Sequence, residues 1–207
     1  MAANSQGQML LISGPSGCGK STICKVLLED SRVEFSVSAT TRTQRPGEID
    51  GRDYVFLDTE EFRKRVERGD FIEWAEVHGN LYGTLTKPME LAIAAGRTYL
   101  VEIDVQGALQ LKALGVEGLY VFIAPPSAEV LRERLTGRGT ETKEVLERRL
   151  QKAEDEYRER VKYDHIVVND VLEVAIDEVR AIAGLSASNG SQVGGTPSGL
   201  SAERPPR

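Results

Sequence analysis

The stretch LLISGPSGCGKST, Leu10 to Thr22, constrains this chain more than any other. Apolar residues run into a glycine-rich turn, then a lysine, then two hydroxyls. Gly14 to Ser21 spells G-x-x-x-x-G-K-S. The apolar run before it reads as a strand, and Ile23, Val26 and Leu27 after it share one helical face, so the order is strand, loop, helix. Glycines there let backbone N–H groups turn inward, and the helix N-terminus adds partial positive charge, which together make an anion cradle. Gly14, Pro15, Ser16, Gly17, Cys18, Gly19, Lys20, Ser21 and Thr22 would wrap the phosphate chain of a nucleotide. Lys20 would reach the β- and γ-phosphates and the Ser21 hydroxyl would ligate Mg²⁺. A glycine turn beside a surface lysine gives the same letters, but without the flanking strand and helix. Cys18 reads as a filler at a variable position.

Short apolar runs and helical patterns go on alternating downstream. Tyr99 to Ile103 ends in Asp104, Leu119 to Ala124 stops at Pro125-Pro126, and His165 to Val168 precedes Asn169-Asp170 and a helical pattern through Leu185. The alternation predicts an α/β fold: a parallel sheet core carrying the phosphate loop, with helices on both faces. Phe35 to Phe56 departs from it. Rich in Thr, Arg, Gly and aromatic residues, with strand-like ends around turns at Pro46-Gly47 and Asp50-Gly51, it reads as an inserted β-rich subdomain. Ser127 to Arg160 is mostly charged and helical in spacing, broken by Gly137-Arg138-Gly139-Thr140, which suits a small helical lid with a mobile flap. The expected division is a flexible N-terminus over 1–8, one domain over 9–185 and a disordered Ser/Gly/Pro tail over 186–207. Within the domain the core takes 9–35, 92–131 and 160–185, the insert about 36–91 and the lid about 132–159.

At 207 residues the chain suits one core with appendages. Its net charge of -6 argues against a basic face for nucleic acid or an anionic membrane, so an anionic ligand has to be held by local arginines and backbone amides. Two cysteines, Cys18 and Cys24, without CxxC spacing or a histidine cluster, give neither a zinc site nor a disulfide framework. No apolar run approaches the ~18 residues of a membrane span, and MAANSQGQ has no basic-then-apolar pattern; a cytoplasmic location is expected.

A phosphate loop alone serves kinases, GTPases, motors and transport ATPases. The N-K-x-D motif by which switch GTPases read their base is absent. Instead SATTRTQRPGEIDGRDYVF (Ser38 to Phe56) is followed in order by FIEWAEVHGNLYGT, EIDVQGA, FIAPPS, GRGTET and VVND. On these motifs, over about Met9 to Leu185, the chain resembles the guanylate kinase family, enzymes that phosphorylate GMP with ATP. The resemblance implies ATP and GMP as small-molecule partners, Mg²⁺ as cofactor and the insert as a GMP-binding subdomain. It assigns Ser38, Arg42, Arg45, Tyr54, Glu73, Tyr82, Thr84 and Asp104 to GMP. Arg134, Arg138 and Asn169 join the phosphate loop at ATP, and Lys20, Arg42, Arg138 and Arg149 are implied as catalytic groups.

The chemistry of these residues agrees. Guanine presents N1–H and an exocyclic amine side by side, two donors for the Glu73 carboxylate, whereas adenine would leave a buried charge unpaired. Arg42 and Arg45, helped by the Tyr54 and Tyr82 hydroxyls, would clamp the GMP phosphate in line with the donor. Taken singly, the arginines read as a solvated face and Glu73-Trp74 as a half-buried strand. Asp104 would hold a Mg²⁺-bound water or, in the plainer reading, cap the next helix. Where many members of the family carry Asp-x-Asp, this chain has Glu102-Ile103-Asp104, and the longer side chain, which moves the carboxylate, leaves the role of Glu102 open. Two rivals stand beside the kinase reading: a scaffold module that binds proteins on the same surface, and a kinase for AMP or UMP. Retention of Lys20, Ser21, Arg42, Arg45 and Glu73 argues against the first, Glu73 and SATTR against the second. Monomer and homo-oligomer stay equally open.

Overall fold

The computed structural model describes residues 7–77, 79–136 and 143–185. Five parallel strands form the main sheet: β1 (Gln8–Ser13), β2 (Val33–Phe35), β7 (Thr98–Glu102), β8 (Leu119–Ala124) and β9 (His165–Val168), in the order β2-β7-β1-β8-β9. Its central strand β1 is buried along Met9 to Ser13 because both of its faces are covered. Leu10 and Ile12 point into one cluster with Ile23 and Leu27 of α1 (Lys20–Leu27) and Ile176 and Val179 of α7 (Leu172–Ile182). Met9 and Leu11 point into the other, with Tyr99, Phe122 and Leu111 of α4 (Val105–Ala113). Apolar residues at every position, rather than at alternate ones, are what two covered faces require. Each Leu or Ile so buried contributes about 1.5–3 kcal/mol.

The chain leaves this sheet after Phe35 and builds a second, four-stranded one, ordered β4-β3-β6-β5, from β3 (Ala39–Thr40), β4 (Val55–Phe56), β5 (Phe71–Val77) and β6 (Asn80–Leu85). Helix α2 (Thr59–Glu67), capped by the Asp58 carboxylate, packs Phe62 against Phe71 at a ring separation of 4.5 Å. Helix α3 (Thr86–Ala94) follows β6 and returns the chain to β7 and β1. Phe35 ends β2 in the main sheet, where β2 pairs with β7 through Phe35 and Leu100. The strand-like ends around Pro46-Gly47 and Asp50-Gly51 form as β3 and β4, yet they pair parallel, and β6 lies antiparallel between β3 and β5. A parallel pair needs a crossover and not a hairpin turn. Carboxylates shape that crossover: Asp53 accepts from the Ile49 amide at 2.8 Å and Asp50 from the Phe56 amide at 2.9 Å.

Helices α5 (Ala128–Thr136) and α6 (Lys143–Arg158) follow β8 and meet through Leu131, Leu135 and Ala153. The Gly137–Thr140 flap, residues 1–6 and the 186–207 tail lie outside the described residues. No helix among the described residues is long and apolar enough to cross a membrane. The phosphate loop, Asp104 and Asn169 follow the carboxyl ends of β1, β7 and β9, the edge of a parallel sheet where ligand crevices form.

Candidate active site

The phosphate loop is shaped by three glycines at positive φ: Gly14 (141°), Gly17 (87°) and Gly19 (98°). At Gly14 a Cβ would stand 2.3 Å from the Ile123 carbonyl oxygen, so the loop can pass over β8 only without a side chain. Gly19 caps α1, and Lys20 folds back so that Nζ donates to the carbonyls of Gly14 at 2.7 Å and Pro15 at 3.0 Å. The ammonium is thereby held in the mouth of the loop. A cavity of about 380 Å³ lies in front, lined by Ser16, Gly17, Gly19, Lys20, Ser21, Thr22 and Arg134. Cys18 is fully buried and burial pushes its thiol pKa up, which makes it a poor nucleophile and fits the filler reading.

The guanine-reading candidates converge on the second sheet. Glu73 on β5 stands opposite Thr84 on β6, and the Thr84 hydroxyl donates to Glu73 Oε1 at 2.7 Å. A register shift between Phe71 and Glu73 re-aims the strand at this point. Glu73 is 9% exposed, and burial pushes its carboxyl pKa up against the lowering effect of its Thr84 hydrogen bonds. With Ser38, Tyr54, Tyr82 and Thr84 it lines a cavity of about 350 Å³.

Beside that cavity Glu48 organises both arginines. Its Oε1 pairs with Arg42 Nη2 at 2.8 Å and its Oε2 accepts from the Arg45 amide at 2.7 Å. Arg42 is also 5.4 Å from the Tyr54 ring centre, and the Tyr54 and Tyr82 rings meet edge-on at 6.2 Å. The Arg45 side chain is exposed and makes no ion pair among the described residues. Sequence reasoning missed Glu48. The signal was an acid three residues after Arg45 and six after Arg42, near enough in the chain to meet both arginines.

A third cavity, of about 370 Å³, joins the two halves. It shares Lys20 and Ser21 with the loop cavity, and Ser38, Tyr54, Glu102 and Asp104 with the Glu73 cavity. At this junction Glu102, whose role the sequence leaves open, has a partner. Its longer side chain reaches across from β7 to accept a hydrogen bond from the Ser21 hydroxyl at 2.5 Å. Neighbouring register makes this possible, because Glu102 lies beside Ile12 at the end of β1, just ahead of the loop. Asp104 satisfies the plainer reading, accepting from the Gly107 amide at 2.8 Å as the cap of α4, and it lines both cavities as well.

Two helices reach the loop from the lid side. Arg149 of α6 donates to the Ser16 hydroxyl at 3.0 Å, and Arg134 of α5 donates to the Asn169 carbonyl at 3.1 Å. Asn169 is buried and its side-chain amide donates to the Cys18 carbonyl at 2.8 Å. Arg138 lies outside the described residues.

Comparison with known proteins agrees with this geometry. A family model described as guanylate kinase matches residues 6–184. The guanylate kinase of Dechloromonas aromatica (strain RCB) is 49% identical over 177 residues, covering 85% of this chain and 88% of that one. The guanylate kinase of Desulfitobacterium hafniense (strain Y51) is 46% identical over the same shares of the two chains. Among solved structures, the guanylate kinase from Anaplasma phagocytophilum superimposes with a TM-score of 0.68 at 36% identity, covering 87% of this chain and 86% of that one. A phosphate loop joined to a buried carboxylate pocket, in a sequence this close to those relatives, leads to one assignment: the chain belongs to the guanylate kinase family and is a nucleotide-binding kinase.

Proposed function

We propose that the chain transfers the γ-phosphate of ATP to GMP, giving ADP and GDP, by direct in-line displacement, and that dGMP is accepted as well. The observation that carries this reading is the junction cavity, whose lining belongs in part to the phosphate loop and in part to the Glu73 pocket. Two nucleotides bound from opposite ends would meet there with their phosphates facing.

Glu73 reads guanine through two parallel hydrogen bonds, with Ser38 and Thr84 supplying hydroxyls to the base. Arg42, Arg45, Tyr54 and Tyr82 hold the acceptor phosphate, whose oxygen is already anionic near neutral pH and needs no strong general base. Loop amides from Gly14 to Thr22 and the Lys20 ammonium hold the donor phosphates. Lys20, Arg42, Arg138 and Arg149 stabilise the charge that develops on the transferring group, and Arg134 and Asn169 complete the ATP side.

Mg²⁺ is the cofactor of this reading. Among the described residues no group of three or more His, Cys, Asp or Glu side chains is placed to hold a metal unaided. The hard oxygens of Ser21, Glu102 and Asp104 fit an ion that takes one or two protein ligands and shares the substrate's phosphates. Ser21 would bind it directly, Glu102 and Asp104 through water; when bound it neutralises charge on the β- and γ-phosphates. The core over 9–35, 92–131 and 160–185, the GMP-binding part over about 36–91 and the lid over about 132–159 would close on both substrates and exclude water. On this reading the chain works in the cytoplasm, in purine nucleotide metabolism and GMP recycling.

The test is ADP production from ATP and Mg²⁺ with GMP, dGMP, AMP, UMP or dTMP as acceptor. Turnover with GMP and dGMP alone is the expected result. Equal turnover with AMP or UMP would overturn the guanine assignment. Binding of ATP and GMP without turnover would favour the scaffold reading.

A further inference from the structure

We infer that Asn169 is a positioning residue for the phosphate loop, acting from behind it and not by touching the nucleotide base. The inference rests on the ATP site proposed above and refines one residue of it. Four observations converge on this side chain. It is buried, 5% exposed, and its Nδ2 donates to the Cys18 carbonyl at 2.8 Å, in the middle of the loop's run of left-handed glycines. Its own backbone is pinned, its amide donating to the Ala124 carbonyl at 2.8 Å at the end of the β8–β9 ladder. A Cβ added to Gly19 would stand 2.2 Å from that same Nδ2, so loop and amide are in contact at two consecutive residues. Finally, Asn169 is missing from the lining of the cavity in front of the loop, where Lys20, Ser21 and Arg134 are present.

The physical consequence follows from the peptide unit that carries the Cys18 carbonyl. Its N–H belongs to Gly19, the cap of α1. Drawing that carbonyl backward onto Asn169 turns the Gly19 N–H forward, toward the place where phosphate oxygens lie, because the two groups of one planar peptide point in opposite directions. Without the amide the carbonyl loses its buried partner and the peptide is free to rotate, leaving one donor of the cradle aimed elsewhere. Arg134 adds a connection to α5, since its guanidinium donates to the Asn169 carbonyl at 3.1 Å. The lid helix and the loop thus bear on one residue.

The experiment compares Asn169→Asp and Asn169→Ala with the parent chain. Asp keeps the shape but sets a carboxylate against the Cys18 carbonyl, and Ala removes the side chain. Dissociation constants are measured by calorimetry for ATP, for inorganic tripolyphosphate, which has no base, and for GMP. Both variants are expected to weaken ATP and tripolyphosphate by the same factor, about tenfold as for one buried hydrogen bond, with GMP affinity unchanged. Weakened ATP with unaltered tripolyphosphate would overturn the inference in favour of a base contact. Unaltered affinity for both would overturn it too, and so would a parallel loss of GMP binding, which marks a general loss of structure. GMP-dependent turnover by the parent chain tests the proposed reaction separately, so the two readings fail independently.

Discussion

The two halves of the site are built in different ways. The proposed ATP half is built around one contiguous segment, Gly14 to Thr22, which offers mostly backbone amides shaped by three left-handed glycines. The proposed GMP half is assembled from side chains on separate strands and a crossover, and is held together by side-chain pairs: Thr84 with Glu73, Glu48 with Arg42. A backbone cradle depends on what is absent, as at Gly14, where no Cβ fits. A side-chain pocket depends on what is present and charged. The first is preorganised by sterics, and the second carries a buried carboxylate, held by Thr84, in the wall of a cavity of about 350 Å³.

Breaking either half is predicted to leave the other intact. Lys20→Ala removes the ammonium held in the mouth of the loop and should lower GMP-dependent kcat on the order of 10³-fold, as the loss of a principal charge stabiliser does; steady-state ADP release reads this. Glu73→Gln should lower kcat/KM for GMP about 100-fold while the KM for ATP holds, because one of two parallel acceptors becomes a donor facing guanine's donors. Glu48→Gln weakens the Arg42 pair without entering either pocket, so a rise of about tenfold in the KM for GMP is expected, with the ATP terms unchanged.

The smallest predicted effect sharpens the comparison through stability. Burial raises the Glu73 pKa, so in the ligand-free chain the ionised form disfavours folding. Stability from this group is fully present below the ordinary carboxylate value of 4.5 and declines as pH rises through the raised value. Glu73→Gln should therefore raise the melting temperature at pH 7 and leave it unchanged at pH 4. GMP affinity in the parent chain should fall as pH drops through the same value, since only the carboxylate accepts both guanine donors. Calorimetric melts with and without GMP at the two pH values check both statements.

The same contrast explains what could be read in advance. Strands β8 and β9 were legible to the residue, Leu119–Ala124 and His165–Val168: β8 is a buried parallel strand and so a continuous apolar run, and β9, an edge strand that buries only Val167, still has a short apolar run with a clear stop at Asn169-Asp170. The phosphate loop was legible because its ligands are neighbours in the chain. Strands β3 and β4, two residues each, have no periodicity of their own and owe their pairing to β6 and the carboxylate-held crossover. The role of Glu102 stayed open for a related reason: its partner is Ser21, which is distant in sequence and adjacent only through the pairing of β7 with β1. Glu48 escaped because an acid inside a cationic cluster is informative only once its distances to Arg42 and Arg45 are known.

The most direct test of the two-half account is a crossed binding measurement: dissociation constants of ATP and of GMP, each alone, for the parent chain, Lys20→Ala and Glu73→Gln. The account predicts that Lys20→Ala loses affinity for ATP and keeps it for GMP, and that Glu73→Gln does the reverse. Loss of both ligands in either variant would contradict it, because the site would then be a single cooperative structure and not two separately built halves meeting at Glu102 and Asp104.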